Sequence, residues 1–240
     1  MRWKRLTKPR FLFVYPVGAA LFFSARITEA SFRLGVALIV LGELVRLWAN
    51  GYVGHRKVNV TQPQRGDRRI GRLITAGPYG FVRHPLYAGT LLIGAGFCLA
   101  VQNAWLAAAA LAGFLMSYRG KMDEEEQILQ EEHPEAFARY QAAVPRLLPR
   151  LIPYPASGGS WSWTGVAASK EWKTATWLVI MTILVYFWEE FVQERKWVFH
   201  ERAAFRWFLL GMVVLLMAAD GIIELALRRH AASIRMGGNR

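Results

Sequence analysis

Apolar residues in this chain are grouped in continuous runs separated by short polar connections. The runs are close in length to the roughly 20 residues that cross a bilayer as a helix. We therefore predict an all-α, polytopic integral membrane protein with about six transmembrane helices. Gln102 and Asn103 alone separate the third and fourth runs, which predicts a helical hairpin. The six runs are Phe11–Ala25, Ser31–Asn50, Pro85–Val101, Ala104–Tyr118, Thr174–Trp188 and Ala204–Leu227.

One long polar stretch interrupts this pattern between the fourth and fifth runs. Residues Lys121–Tyr140 are charged and helix-prone, and Pro134 is predicted to divide them into two short helices. Val144–Gly159 is rich in proline and glycine, which predicts an irregular loop. The pattern divides the chain into three parts. These are an N-terminal tail with the first span (1–30), a membrane core (31–155), and a linker with a two-span extension (156–240).

Composition and charge agree with a membrane protein and predict its orientation. Hydrophobic residues make up 54% of the 240 residues, and the formal net charge is +13. Such an excess in a membrane protein indicates cytoplasmic loops facing anionic lipid rather than nucleic acid. Segment 51–85 has seven basic residues and one acid, whereas 189–206 has four of each. The positive-inside rule predicts both termini, 51–85 and 119–173 in the cytoplasm, and 189–203 outside.

Cysteine and histidine usage excludes two kinds of site. Cys98 is the single cysteine, so neither a disulfide framework nor a cysteine metal site is possible. His55, His133, His200 and His230 lack the spacing of metal ligands, and no metal is predicted.

The first candidate site is RLITAGPYGFVRHPLYAG, residues 72–89. Pro85 suits the first turn of a helix, and the N-terminus of a helix carries free N–H groups and partial positive charge. Together with Arg83 and His84, this end of the third run could bind an anion. The alternative is a basic anchor beside the membrane.

The second candidate site is the carboxylate cluster Glu124–Glu126 after the fourth run. One carboxylate turned inward could bind an amine or a pair of ribose hydroxyls, and the alternative is a solvated helix face. A short hairpin returns its two ends to one side of the membrane. We therefore expect the basic site and the carboxylates to face each other and bind one cofactor.

Charged pairs inside two runs form a third group. Glu43 and Arg46, and Asp220 and Glu224, have spacings of three and four that place each pair on one helix face. Charges inside membranes are candidates for function, but an internal ion pair or snorkelling would also explain them.

The motifs together resemble a known family. GPYGFVRHPLYAG is followed some forty residues later by EEQIL, then by Ala136–Tyr140 and Val144–Pro149. This arrangement, over about residues 30–153, is similar to the isoprenylcysteine carboxyl methyltransferases and the related phospholipid methyltransferases. Residues 160–240 show no such resemblance.

The resemblance implies a methyltransferase that uses S-adenosyl-L-methionine. The residues that it implies for cofactor binding are Gln64, Leu73, Ile74, Tyr79, His84, Pro85, Leu86, Tyr87 and Glu125. The predicted catalytic residues are Arg83, in the basic site, and Lys121. Lys121 stands where the family usually has an arginine near the substrate carboxylate, and Ala143 replaces the arginine of the family's Arg-Val-Pro.

The acceptor is predicted to be lipidic and to enter from the membrane, with the carboxylate of a prenylated cysteine as the first candidate. A carboxylate is ionised at neutral pH and needs no general base, whereas an amine acceptor would. Three alternatives remain: a phospholipid or amine N-methyltransferase, a nicotinamide-dependent membrane reductase, and a non-catalytic membrane scaffold.

Overall fold

The structure is a computed structural model that describes residues 23–24, 26–53, 73–157, 159–169, 171–190 and 203–237, with side chains up to residue 222. Within these ranges it has seven α-helices and no strand, which confirms the all-α prediction. A 3-10 turn, Gly77–Gly80, precedes the second helix. The helices are α1 (Glu29–Val53), α2 (Pro85–Val101), α3 (Ala104–Glu132), α4 (Pro134–Ala143), α5 (Trp163–Ser169), α6 (Glu171–Trp188) and α7 (Ala203–Gly237).

Five of the six predicted spans fall on helices, and α2 has the predicted bounds. The first, Phe11–Ala25, lies outside the described residues apart from Phe23 and Ser24. By length and composition, one segment of the described chain, Ala204–Ile222, is long and apolar enough to cross a membrane. The number of spans therefore stays a prediction.

The predicted hairpin forms between α2 and α3. Gln102 ends α2 in the left-handed conformation, with φ of 50°, and the Asn103 side chain accepts a hydrogen bond from the Leu106 amide at 3.0 Å. These two residues thus reverse the chain and cap the next helix.

The fourth run and the first of the two helices predicted within Lys121–Tyr140 form one continuous helix, α3, from Ala104 to Glu132. No proline interrupts this stretch, and isolated glycines are tolerated within helices. The apolar and the charged halves of this stretch therefore form one continuous helix. Pro134 begins α4, as the sequence indicated.

Pairs of glycines bring α1 and α2 into backbone contact. A Cβ on Gly35 would lie 2.5 Å from the carbonyl oxygen of Gly96, and one on Gly42 would lie 2.6 Å from that of Gly89. The pairing of 35 with 96 and 42 with 89 makes the helices antiparallel. Small residues permit such close approach between membrane helices. This contact places the last turns of α1 beside the first turns of α2.

The segment before α2 and the loop after α4 contact each other at this end of the α1–α2 pair. The Arg83 and His84 amides donate to the carbonyls of Pro145 and Arg146, at 2.8 and 3.1 Å. The Tyr154 amide donates to the Gly80 carbonyl at 2.8 Å. The loop after α4 therefore supports the turn before α2. Phe137, Tyr140 and Val144 form a buried cluster beneath it, packed against Leu73, Leu129 and Tyr154.

The chain divides into two compact units, Met1–Glu171 and Trp172–Arg240. In the second, the Arg206 guanidinium forms a buried pair with Glu190, with Nε at 2.8 Å from Oε2. Tyr186 also donates to Glu190, at 2.8 Å. Asp220 lies 3.9 Å from the Lys173 ammonium, and the Glu224 side chain lies outside the described residues.

Candidate active site

A cavity of about 200 Å³ lies in the first unit, where the turn before α2 meets α1, α3 and α4. Its wall is mainly apolar and aromatic, with a few charged groups among them. Its charged members are Arg46, Arg83, His84 and Glu125. The others are Tyr52, Val53, Leu73, Ile74, Tyr79, Pro85, Leu86, Tyr87, Thr90, Tyr118, Leu129 and Tyr140.

Glu125 supplies the carboxylate that faces this cavity. Its Oε1 accepts a hydrogen bond from the Tyr87 hydroxyl at 2.6 Å, and its Oε2 lies 3.5 Å from Nδ1 of His84. The Tyr87 ring packs against Tyr118, with centroids 5.1 Å apart. Tyr118 and Glu125 are two helical turns apart on α3, so both face α2. The predicted meeting of the two candidate sites is therefore observed.

Glu126 points to a separate cluster behind the cavity wall. Its Oε1 lies 2.8 Å from Nε2 of His84 and 3.1 Å from Nε of Arg83. Arg146 donates to both its oxygens, at 3.0 and 2.7 Å, and also lies 2.7 Å from Asp123. One buried carboxylate thus links the Arg83-His84 turn, α3 and the loop after α4.

The charges of this cluster stabilise one another. Burial alone would raise the pKa of Glu126, but hydrogen bonds from His84 and Arg146 and the charge of Arg83 lower it to about 2. Burial opposes protonation of His84, yet the hydrogen bonds and charges of Glu125 and Glu126 raise its pKa above the ordinary 6.5. The contacts of Glu125 and Glu126 therefore favour the protonated form of His84, and those of Glu126 favour its ionised form.

Arg83 is engaged in this cluster rather than directed only at the cavity. Besides Glu126, its guanidinium donates to the carbonyls of Gln141 and Val144, at 2.8 and 2.9 Å. Burial raises the pKa of Tyr79, and its carbonyl accepts a hydrogen bond from the Tyr140 hydroxyl at 2.7 Å. The backbone of the GPYG turn is thereby fixed.

Nine of the eleven predicted site residues line the cavity. Lys121 does not: it is exposed, and its Nζ lies 5.3 Å from the ring centroid of Tyr118, which does. Gln64 lies outside the described residues. The roles predicted for all of them remain predictions.

Two sets of contacts at this site were not predicted from the sequence. The contacts of Arg146 are not indicated by the motif, since the arginine of the family's Arg-Val-Pro would stand three residues earlier, at Ala143. An ion pair of Arg46 with Glu43 was one of the alternatives, and it is present at 3.7 Å. The shortest contacts of Arg46, with Glu171 and Thr90, were not predicted. No local pattern indicates these partners, since Glu171 is 125 residues away in sequence.

Comparison with known proteins supports the resemblance drawn from the motifs. The family described as phospholipid methyltransferase matches residues 30–136. The human protein-S-isoprenylcysteine O-methyltransferase is 28% identical over 115 residues, which cover 48% of this chain and 40% of that protein. The chain therefore resembles this methyltransferase family over residues 30–136, which is less than half of its length.

Two bacterial relatives match a longer part of the chain. The cobalt-zinc-cadmium resistance protein CzcN of Cupriavidus metallidurans is 30% identical over 154 residues. That match covers 63% of this chain and 62% of the relative. The nickel-cobalt-cadmium resistance protein NccN of Alcaligenes xylosoxydans xylosoxydans is 26% identical over 171 residues, which cover 71% and 73%. No solved structure matches the chain.

Proposed function

We propose that this protein is an S-adenosyl-L-methionine-dependent methyltransferase that acts on a lipidic acceptor in the membrane. The observation that supports it is the cavity between the HPLY turn and Glu125, in a chain whose residues 30–136 match a methyltransferase family. Isoprenylcysteine methyltransferases among the relatives support a prenylated cysteine as one acceptor. The phospholipid methyltransferase match supports an amine-bearing lipid as another.

The residues around the cavity fit the proposed cofactor. Glu125 and the Tyr87 hydroxyl would bind an amine or ribose hydroxyls, since a carboxylate accepts hydrogen bonds from either. Leu73, Ile74 and Leu86 would contact an apolar ring. When bound, S-adenosyl-L-methionine supplies an electrophilic methyl group.

The protein's part in the reaction is positioning. Glu126 fixes Arg83 and His84, and so fixes the turn that begins α2. An aligned acceptor can gain the equivalent of about 7–11 kcal/mol from proximity. With both ligands bound, the apolar wall would exclude water from the reacting groups. The membrane location rests on the apolar outer side chains of the helices, such as Leu34, Leu41 and Leu44 on α1, which are about half exposed.

Binding of S-adenosylhomocysteine to the purified protein tests the proposal. Wild type should bind, and Glu125→Gln should weaken binding by about 10–100-fold, because a buried charged partner is lost. Glu124→Gln is the matched control: it removes the same charge from the neighbouring residue, which is exposed and does not line the cavity. Absence of wild-type binding, or equal affinity in both variants, would contradict the cofactor site.

A further inference from the structure

A carboxylate from beyond the matched family region lies behind the cavity wall. Glu171 begins α6 and is 2% exposed. Its Oε1 lies 2.6 Å from Nε and 2.5 Å from Nη2 of Arg46, and its Oε2 accepts from the Asn50 side-chain amide at 2.8 Å. The family match ends at residue 136, so this contact is contributed by the C-terminal part of the chain.

Arg46 is the group through which Glu171 can influence a bound molecule. Arg46 lines the cavity about two turns before the end of α1, beside Leu86 and Thr90 of α2. Its Nη1 donates to the Thr90 hydroxyl at 2.5 Å and to the Leu86 carbonyl at 3.4 Å. Since α1 and α2 are predicted spans, this is the side from which a lipidic acceptor would enter.

Two carboxylates lie beside the guanidinium of Arg46. Besides Glu171, Glu43 lies 3.7 Å away, and neither Glu43 oxygen has a hydrogen-bond partner among the described residues. A buried guanidinium without a counter-charge would attract an anion strongly. Here Glu171 already neutralises Arg46 and uses its Nε and Nη2 donors.

The segment before Glu171 is fixed to the end of α1. The Trp161 ring occupies the space beside Gly51 where a Cβ would lie. The Ser162 amide donates to the Gly51 carbonyl at 2.9 Å. Glu171 is therefore held beside Arg46 by packing as well as by its own ion pair.

We propose that Glu171 determines the acceptor class by keeping Arg46 neutralised, so that the site disfavours an ionised carboxylate and favours an uncharged reacting group. This inference rests on the proposed function. An incoming carboxylate would have to take donors from Glu171 and then lie beside it as a like charge. A neutral group of the same shape meets neither obstacle.

A matched ligand pair tests this proposal by binding rather than by turnover. N-acetyl-S-farnesylcysteine and its primary carboxamide differ only in the charge of the reacting end. Titration of the full-length protein in detergent, followed by tryptophan fluorescence, gives a Kd for each. Wild type should bind the carboxamide about tenfold more tightly, a difference of about 1.4 kcal/mol.

Variants identify the residue responsible. Glu171→Gln should shift the Kd ratio by about tenfold towards the carboxylate, since Arg46 loses its counter-charge. Glu135→Gln removes the same charge from an exposed position on α4 and should keep the wild-type ratio. In an Arg46→Gln background, adding Glu171→Gln should shift the Kd ratio less than it does in the wild type, because the cation for which both carboxylates compete is gone and only the like-charge repulsion by Glu171 is removed.

Several outcomes would overturn the proposal. A wild-type preference for the carboxylate does so without any variant, and failure of both ligands to bind counts equally against it. The proposal is also overturned if the Kd ratio is unchanged in Glu171→Gln while the apparent Tm of this variant equals that of wild type. S-adenosylhomocysteine titration of the same samples separates the two claims: a wild type that does not bind it contradicts the methyltransferase function, whereas the Kd ratio concerns Glu171 alone.

Discussion

Two adjacent glutamates of α3 lie in different surroundings. Successive helical residues differ by about 100° in direction, so Glu125 faces the cavity while Glu126 faces Arg83, His84 and Arg146. The sequence shows only a run of four acids, Asp123–Glu126. Which of them faces the cavity and which stabilises the turn depends on the orientation of the helix.

The ion pair of His84 and Glu126 predicts a dependence of stability on pH. Because the pKa of His84 is raised, its stabilising contribution is complete below pH 6.5 and is lost as the pH rises through the raised pKa. Glu126, with a pKa lowered to about 2, loses its contribution only as the pH falls from 4.5 towards that value.

We therefore expect the apparent Tm of the wild type to fall from pH 6.5 into the alkaline range. In His84→Gln this fall should be much smaller, because the glutamine does not titrate. Thermal melting in detergent at a series of pH values measures both. If the apparent Tm of both proteins changed with pH in the same way, titration of His84 would not be the cause of the pH dependence.

Lys121 tests whether a residue outside the cavity wall influences the acceptor. We expect Lys121→Met to leave S-adenosylhomocysteine affinity within about twofold of wild type, since Lys121 is exposed and lies only near Tyr118. Its predicted acceptor role requires a severalfold rise in the acceptor's KM, restored by Lys121→Arg. Identical kinetics for wild type and Lys121→Met would show that Lys121 has no role in binding the acceptor.

At the scale of elements, the close contact of α1 and α2 brings Arg46 beside Leu86 and Thr90. Neither helix shows this in its hydrophobic pattern, because an apolar run specifies burial in lipid or protein but not a partner. The glycines at 35, 42, 89 and 96 become informative only when paired.

Gly42→Ala should therefore be destabilising, because its Cβ would lie 2.6 Å from the Gly89 carbonyl oxygen. The helices must separate, and overpacking of this kind costs about 1–3 kcal/mol. Gly94→Ala on α2 is the control: nothing lies within 4 Å of its Cβ, and alanine favours the helix. Apparent Tm values in detergent should rank Gly94→Ala at or above wild type and Gly42→Ala well below. Equal values for the two variants would contradict the close contact.

At the scale of the whole molecule, the predicted orientation is open to direct test. In a Cys98→Ser background, a cysteine at Gln102 should react with an impermeant maleimide from outside the cell. One at Glu132, at the other end of α3, should react only after the membrane is opened. Both positions are exposed at helix ends. The reverse pattern would invert the topology, and labelling of both from one side would contradict a membrane-spanning α3.

The sequence by itself determined the helical class, the bounds of α2, the hairpin at Gln102 and Asn103, and the motifs on either side of the cavity. These follow from local properties: the length of apolar runs, proline at a helix start, and turn residues. Only the tertiary structure decided that α3 continues to Glu132, that Arg146 supports Glu126 and that Glu171 pairs with Arg46. Such ion pairs join residues 20 and 125 positions apart. Their energy depends on burial and distance, which a linear pattern of residue types does not specify.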